Sequence, residues 1–141
     1  MIKFLMPVDG SKSSENAVRY LIRLARCKEP AEIHLINVRR PVDAWEVRRF
    51  LTEEEIAHTQ QAEGETEMAA ARALLDEAGF PYRAEVLIGP VAQTIANYAN
   101  EQGCDAIVMG SHGRGELASL LMGSVATQVI HLVKIPVTLV R

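Results

Sequence analysis

The pattern that most constrains how this chain folds is the alternation of short apolar runs with longer segments of helical period. Such alternation is the signature of β-α-β units, in which the strands are parallel and helices cover the sheet. The pattern predicts five strands, at residues 2–8, 31–38, 82–88, 105–109 and 137–140. We therefore expect an α/β protein with a parallel sheet.

Four helices are predicted from the three- and four-residue spacing of apolar side chains and from capping residues. The first helix begins at about residue 13, and the second runs from the Thr52 cap to Gly79. The third spans residues 91–102 and the fourth residues 124–133. Thr52 and Glu55 form a capping-box pattern at the start of the long second helix. Gly64 predicts a kink within that helix.

The segment of residues 39–51 is predicted to be a loop, and it carries the only tryptophan, Trp45. Unstructured connections of this length are more often functional than accidental. We therefore interpret the segment as a lid or an interface loop.

The size of the chain fits one domain. With 141 residues and 48% hydrophobic content, residues 1–141 are expected to bury most of their apolar surface in a single core region. No run approaches the roughly 20 apolar residues of a membrane span, and the first residues lead into a strand instead of a cleavable signal pattern. We expect a cytoplasmic protein without a membrane partner.

Charge and cysteine content narrow the function further. A net charge of −3 and a pI near 5.8 argue against a nucleic-acid surface, although local basic patches exist at residues 39–40 and 48–49. Cys27 and Cys104 have no metal-ligand spacing and no Cys-x-x-Cys motif, so both are predicted to be reduced structural thiols.

The glycines after the fourth predicted strand point to a ligand. Gly110, Gly113 and the pair Gly123–Ser124 lie between that strand and the last helix. A loop in this position offers backbone N–H groups and the positive end of a helix dipole, which together bind phosphates. Ligands of open α/β sheets lie at the carboxyl ends of the strands. The sequence therefore predicts a nucleotide site, with Ser124 as both helix cap and candidate ligand.

Two better-known phosphate motifs do not fit. The Walker pattern is absent because the glycine loop contains no lysine. Residues 113–118 match the loose dinucleotide pattern Gly-x-Gly-x-x-Ala, but no second β-α-β half and no acidic residue about twenty positions later follow it. A P-loop ATPase and a nicotinamide dehydrogenase are therefore disfavoured.

The chain resembles the universal stress proteins, and specifically their ATP-binding branch, over its whole length. The resemblance rests on Met-Pro-Val-Asp-Gly-Ser at 6–11, Ile-Val-Met-Gly-Ser-His-Gly-Arg at 107–114, Gly-Ser-Val at 123–125 and Pro-Val-Thr-Leu-Val-Arg at 136–141. The spacing Gly-x2-Gly-x9-Gly-Ser is the nucleotide signature of that family and is unbroken here. One departure is Glu116 to Ser119, where family sequences more often carry small or basic residues.

The resemblance implies a doubly wound, Rossmann-like sheet of strand order 3-2-1-4-5, similar to the adenine nucleotide alpha hydrolases. It implies ATP as the ligand, with AMP or ADP as alternatives, accompanied by Mg²⁺ or Mn²⁺. It places adenine near Asp9 and Val38 and the ribose and phosphates on the loop after the fourth strand. The implied nucleotide-binding residues are Pro7, Val8, Asp9, Val38, Met109, Gly110, Gly113, Arg114, Gly123, Ser124 and Val125.

Several of these residues also have a plain structural interpretation. Asp9 can be a helix cap, Val38 the end of a core strand, and Arg114 a solvated loop arginine. His112 is interpreted as an ordinary loop residue, because no nucleophile or orienting partner is identifiable from the sequence. No catalytic residue and no metal ligand is therefore assigned.

The last strand has apolar residues on both faces, with Val137 and Leu139 assigned to one and Ile135 and Val140 to the other. An exposed apolar strand at the edge of a sheet is normally covered by another part of the protein or paired with another chain. Family members commonly dimerise through this strand, so the resemblance implies a homodimer through Val137 to Val140. The alternative is a monomer in which a helix covers the edge.

Three functions stay open. The first is an ATP-binding stress-response sensor or signalling protein with slow or no hydrolysis, acting on a downstream protein that the sequence does not identify. The second is an adenine nucleotide hydrolase or adenylyl-transfer enzyme that uses His112 or Asp9 with a divalent cation. The third is a dimeric interaction module without nucleotide, which the intact glycine signature disfavours.

Overall fold

The computed structural model describes residues 1–26, 30–42, 44–113 and 122–141, so Cys27 lies outside the described residues. The described strands are β1 (Ile2–Pro7), β2 (Ala31–Arg39), β3 (Tyr82–Ile88), β4 (Ala106–Gly110) and β5 (Val137–Val140). Each strand end lies within one residue of its predicted position.

The described helices are α1 (Lys12–Ala25), α2 (Trp45–Phe50), α3 (Glu53–Ala78), α4 (Val91–Glu101) and α5 (Ser124–Leu132). The prediction of an entirely unstructured segment at residues 39–51 is wrong, because α2 occupies its second half. This helix buries none of its residues. Since it packs no apolar face on the core, the sequence contains no periodic signal that could have predicted it.

The five strands form one parallel sheet in the order β3-β2-β1-β4-β5. From the central β1, the chain first winds outward through β2 and β3 and then crosses back to β4 and β5. This confirms the predicted doubly wound fold and its strand order.

A hydrophobic cluster covers each face of the sheet. Met6, with Val18 of α1 and Met68 of α3, belongs to one cluster, whereas Leu5, with Ile95 of α4, belongs to the other. Successive strand residues point to opposite faces, so a central parallel strand covered by helices on both sides must be apolar at consecutive positions. This explains the apolar run of residues 4–7 in β1.

The long helix α3 has the predicted ends. Thr52 and Glu55 form the capping box, and Gly79 ends the helix in the left-handed conformation, with φ of 76°. The helix is continuous through Gly64, so this glycine does not divide it. A Cβ on Gly64 would lie 2.6 Å from Cγ1 of Val86. Gly64 therefore allows α3 to approach β3 closely.

Cys104 is a buried free thiol, in agreement with its predicted structural role. Burial raises its pKa, which lowers the thiolate fraction and hence its reactivity. Among the described residues, no helix has the length and apolar character required to cross a membrane.

The contact at Gly64 predicts the sign of a substitution. Alanine is favoured over glycine by about 1 kcal/mol in a helix interior, so propensity alone would make Gly64→Ala stabilising. The stiff Val86 side chain leaves no room for the added methyl group, and we expect a net loss of about 1–3 kcal/mol in the free energy of unfolding. Urea denaturation measures the change.

Ala62→Gly is the matched control, because Ala62 is exposed on the same helix. It should cost about 1 kcal/mol through propensity alone. A stabilised Gly64→Ala protein would show that α3 does not depend on this close contact.

Candidate functional site

An open cleft of about 470 Å³ lies at the carboxyl ends of β1 and β4. This is the switch point of the sheet, since the connections leave β1 and β4 toward opposite edges. Eight of the eleven predicted binding residues line it, namely Pro7, Val8, Asp9, Val38, Met109, Gly110, Gly113 and Val125. Residues from four separate segments of the chain thus meet in one place.

Pro7 explains why the two strands part at this point. The N–H of Val8 donates to Ile36 O on β2, and Asp105 N donates to Lys3 O on the other side of β1. Because alternate residues of a parallel strand direct their backbone groups to opposite neighbours, the nitrogen of Pro7 faces β4 and has no hydrogen to donate. The β1–β4 register extends only over Phe4↔Ala106 and Leu5↔Ile107. The crevice opens beyond it.

The other three predicted residues differ in their placement. Arg114 lies outside the described residues. Gly123 and Ser124 lie at the start of α5, beside the cleft-lining Val125. The prediction that Ser124 caps this helix is wrong, because the cap residue is Gly123, with extended backbone angles, and Ser124 is the first helical residue.

The cleft also contains residues that were not predicted to bind. They are Ser11, Ser14, Val91, Ile95, Ser111, His112 and Ala126. Most of them belong to the first turns of α1, α4 and α5. The rule that ligands lie outside the carboxyl ends of strands could have found those of α1 and α4, because these helices begin a few residues after a strand ends. The start of α5 follows β4 by a longer connection, and only the hydrogen bond from Gly123 N to Ser111 O shows that it lies at the end of that strand.

The turn between β1 and α1 is shaped by Asp9. The Asp9 carboxylate accepts a hydrogen bond from Ser11 N at 2.9 Å, and Gly10 has a left-handed φ of 81°. Ser11 is the N-cap of α1, and its hydroxyl accepts from Ser14 N at 3.2 Å. The alternative interpretation of Asp9 as the helix cap is therefore wrong, and its carboxylate stabilises the turn at the edge of the cleft.

The two ends of the glycine loop are joined by a backbone hydrogen bond. Gly123 N donates to Ser111 O at 2.6 Å, and Ser111 N donates to Val140 O of β5 at 2.8 Å. The chain therefore leaves the sheet after Ser111 and returns to the same place at Gly123. Gly113 and the start of α5 are thereby held on the same side of the cleft.

His112 links this loop to α1. Its carbonyl oxygen accepts from Ser13 Oγ at 2.6 Å and from Ser11 Oγ at 3.3 Å. Its Nδ1 lies 2.8 Å from Ser111 Oγ. The start of the glycine loop and the start of α1 thus form one hydrogen-bonded unit.

The cleft combines apolar walls with positive helix ends. Val38, Val91, Ile95 and Met109 offer surface for a flat apolar ring. The first turns of α1, α4 and α5 bring the positive ends of three helix dipoles to the same cleft. Among the described residues, neither α4 nor α5 has a side-chain hydrogen bond at its N-cap. This arrangement suits a ligand with an aromatic ring and an anionic group.

Within the part of the chain that the structure describes, no group of three or more histidine, cysteine, aspartate or glutamate side chains is arranged to hold a metal ion. Among the described residues, the polar groups around the cleft are mainly hydroxyls and backbone amides, together with the Asp9 carboxylate and the His112 imidazole. The described part of the site therefore has the chemistry of an anion-binding cleft.

Comparison with known sequences assigns the chain to a family. The model of the universal stress protein family matches residues 1–141. Universal stress protein MJ0531 of Methanocaldococcus jannaschii is 32% identical over 142 residues, which cover 99% of this chain and 81% of that protein. Universal stress protein YxiE of Bacillus subtilis is 30% identical over 148 residues, covering 99% and 98% of the two chains. The chain belongs to the universal stress protein family.

Solved structures share the fold. The structure of MJ0577, a universal stress protein of Methanocaldococcus jannaschii, superposes with a TM-score of 0.83 at 29% identity and covers 99% of this chain and 94% of its own. A family member from Arabidopsis thaliana with AMP bound has a TM-score of 0.71 at 18% identity, covering 99% and 91%. The Archaeoglobus fulgidus protein in complex with dAMP has a TM-score of 0.67 at 21% identity, covering 100% and 98%.

Gly110 has a structural role that can be tested separately from binding. A Cβ at this position would lie 2.7 Å from Ser14 N and 2.8 Å from the carbonyl carbon of Ser13, both in the backbone of α1. We expect Gly110→Ala to lower the free energy of unfolding by about 3 kcal/mol, the upper part of the range for overpacked sites, because backbone atoms of α1 must move. Thermal or urea unfolding measures this change.

Gly89→Ala provides the comparison. A Cβ on Gly89 would contact Thr94 Oγ1 at 2.5 Å, and the next atom lies at 3.8 Å. Rotation of Thr94 removes this clash, so the loss should be clearly smaller than for Gly110→Ala. Equal losses in the two variants would contradict a special role for the contact between β4 and α1.

Proposed function

We propose that the protein is an ATP-binding member of its family that acts as a nucleotide-dependent stress-response sensor or signalling protein, with slow or no hydrolysis. The observation that carries this proposal is the meeting of eight predicted binding residues and three helix N-termini in one cleft at the switch point. Bound AMP and dAMP in two relatives of the same fold support an adenine nucleotide as the ligand.

In this proposal, adenine lies against Val38 and Val91, and Asp9 accepts a hydrogen bond from the ribose or the adenine amino group. The phosphates bind near Gly113, Gly123 and Ser124, at the positive end of the α5 helix dipole. Arg114 pairs with a phosphate through its planar guanidinium. AMP and ADP are alternative ligands of the same cleft.

Mg²⁺ or Mn²⁺ is proposed to arrive with the phosphates of ATP. A divalent cation would neutralise phosphate charge. Glu116, the acidic residue at which the sequence departs from its family, lies outside the described residues. Oxygen atoms of the phosphates and water are the ligands that such cations prefer.

The helix α2 is a candidate for the surface that reports nucleotide binding. Trp45 is 62% exposed and Phe50 is 79% exposed, and the Arg49 guanidinium lies 5.1 Å and 5.6 Å from the two ring centroids. The segment follows Val38 of the cleft along the chain. We therefore propose that bound ATP changes the order of this segment, and with it the surface that a downstream protein meets.

A calorimetric titration of nucleotide-stripped protein with ATP and magnesium tests the proposal. We expect saturable binding of ATP, no comparable binding of GTP, and loss of ATP binding in the double variant Gly113→Val, Gly123→Val, because added side chains block the approach of phosphates to the backbone. Limited proteolysis of the segment of residues 39–51 in the same samples should show protection by saturating ATP.

Absence of ATP binding by well-folded wild-type protein would overturn the proposal and leave the dimeric interaction module without nucleotide. Unchanged proteolysis in the presence of bound ATP would contradict only the coupling to α2.

The enzyme alternative is kept because of one contact, the 2.8 Å separation of Ser111 Oγ and His112 Nδ1 beside the cleft. A histidine that contacts a hydroxyl can act as a base toward it. Phosphate or pyrophosphate release, measured on the titrated samples, discriminates the two functions. Turnover that is lost in His112→Ala would favour the hydrolase or adenylyl-transfer enzyme.

We also propose that the protein is a homodimer through β5. This strand lies at the edge of the sheet, and Ile107 N and Ser111 N donate to Pro136 O and Val140 O. By the alternation of a parallel ladder, the backbone groups of Val137 and Leu139 point outward.

The side chain of Ile135 packs in the same hydrophobic cluster as those of Val137 and Leu139, so the prediction that Ile135 lies on the opposite face of the sheet is wrong.

The outward N–H of Val137 makes the dimer testable. Val137→Pro removes this donor but keeps the hydrogen bonds to β4, since proline is tolerated at the start of an edge strand. We expect a dimer mass for wild type and a monomer mass with native circular dichroism for the variant, measured by light scattering. A dimeric variant, or a monomeric wild type, would contradict pairing through β5.

The cytoplasmic location of the protein stays a prediction.

A further inference from the structure

Asn37 is a buried polar residue directly behind the cleft. Its side chain is on β2 next to Val38 and is 1% exposed. Its Nδ2 donates to the backbone oxygen of Val8 at 2.8 Å and to Glu67 Oε2 at 3.3 Å. Neighbouring strand residues point to opposite faces, so Val38 faces the cleft while Asn37 faces α3.

The hydrogen bond to Val8 sets the direction of one peptide unit. In a trans peptide the C=O and the following N–H point in opposite directions. Because Val8 O is directed at Asn37 on β2, Asp9 N–H points away from β2 and toward the β4 side of β1. Met109 and Gly110 of β4 line the cleft on that side. Asn37 thereby orients the peptide unit that carries the cleft residues Val8 and Asp9.

Glu67 of α3 supports the same turn from behind. Its Cα, Cβ and Cγ lie 3.5–3.6 Å from the position of a Cβ on Gly10, so α3 packs directly on this left-handed residue. The Glu67 carboxylate forms an ion pair with Arg39 at the end of β2, and its side chain is 14% exposed. Arg39 also contacts Glu63 and donates to Gln60 Oε1 at 3.2 Å. These contacts connect α3 to the turn after β1 and to the end of β2, the two segments that contribute Asp9 and Val38 to the cleft.

Asn37 also leaves one group unsatisfied. Within the described residues its buried Oδ1 has no hydrogen-bond partner, and a Cβ on Gly64 would lie 3.0 Å from it. A buried acceptor without a partner destabilises the folded state, and an apolar residue of similar size would avoid this cost. A residue that serves packing alone would not be expected to be an asparagine here.

We propose that Asn37 and Glu67 are positioning residues for the nucleotide site, which hold the Val8–Asp9–Gly10 turn in the geometry that binds the adenosine part of the ligand. This inference rests on the proposed function. The α3 helix then supports the turn through Glu67, which packs on Gly10. Loss of the Glu67 side chain would weaken nucleotide binding without removing any group that touches the nucleotide.

The test compares two glutamates of α3. Glu67→Ala removes the support of the turn, whereas Glu65→Ala removes a similar ion pair, to Arg72 at 3.1 Å, that does not reach the cleft. We expect Glu67→Ala to weaken AMP binding by about three- to tenfold in calorimetry, and Glu65→Ala to leave it unchanged. Glu67→Gln keeps the methylene groups over Gly10 and an acceptor for Asn37, and should restore most of the affinity. Asn37→Ala should weaken binding at least as much as Glu67→Ala.

Amide hydrogen exchange gives a second readout that does not depend on nucleotide binding. The Ser11 amide, which donates to Asp9, should exchange several-fold faster in Glu67→Ala and at the wild-type rate in Glu65→Ala. If wild-type protein binds no AMP, the proposed function is wrong. The exchange rate of the Ser11 amide in the two variants would still show whether Glu67 holds the turn. Equal effects of the two glutamate variants on affinity and exchange would overturn the positioning role and leave a contribution to stability alone.

Discussion

The short pairing of β1 with β4 is the constraint on which the site depends. At the amino end the two strands are held by Lys3 N, which donates to the Asp105 carboxylate at 2.8 Å, and by the reciprocal bond from Asp105 N to Lys3 O. Toward the carboxyl end, Pro7 has no N–H to continue the ladder. The strands are therefore joined at one end and separate at the other. The cleft is the direct result of this asymmetry.

Three helices use the space that the separation leaves. Their first turns, at Ser14, Val91 and Val125, converge on the cleft because each helix of a parallel α/β sheet starts at the carboxyl edge. Close approach of backbones makes this possible for α1, because Gly110 lies against the backbone of Ser13 and Ser14. Because this contact is so close, the start of α1 cannot be displaced without displacing the end of β4.

The success of the sequence-based prediction varied with the kind of signal. The ends of α3 were predicted closely because the Thr52–Glu55 capping box and Gly79 mark them. The helix α2 was missed because it has no buried residue and thus no apolar period. The glycine pattern found the cleft residues Gly110 and Gly113, but it could not distinguish a glycine that admits a ligand from one that admits a neighbouring helix. For Gly110 the structure shows the contact with α1.

Apolar periodicity, capping residues and the glycine loop therefore determined the order of the elements and, through the resemblance to a family, the strand order and the region of the site. These features are local, so each can be recognised within a few neighbouring residues. The tertiary structure alone decided that Asn37 bonds to Val8, that Glu67 packs on Gly10 and that Ser13 bonds to His112. These partners are 29, 57 and 99 positions apart in the sequence. No local pattern specifies such pairs, because they exist only after the strands and helices have packed together.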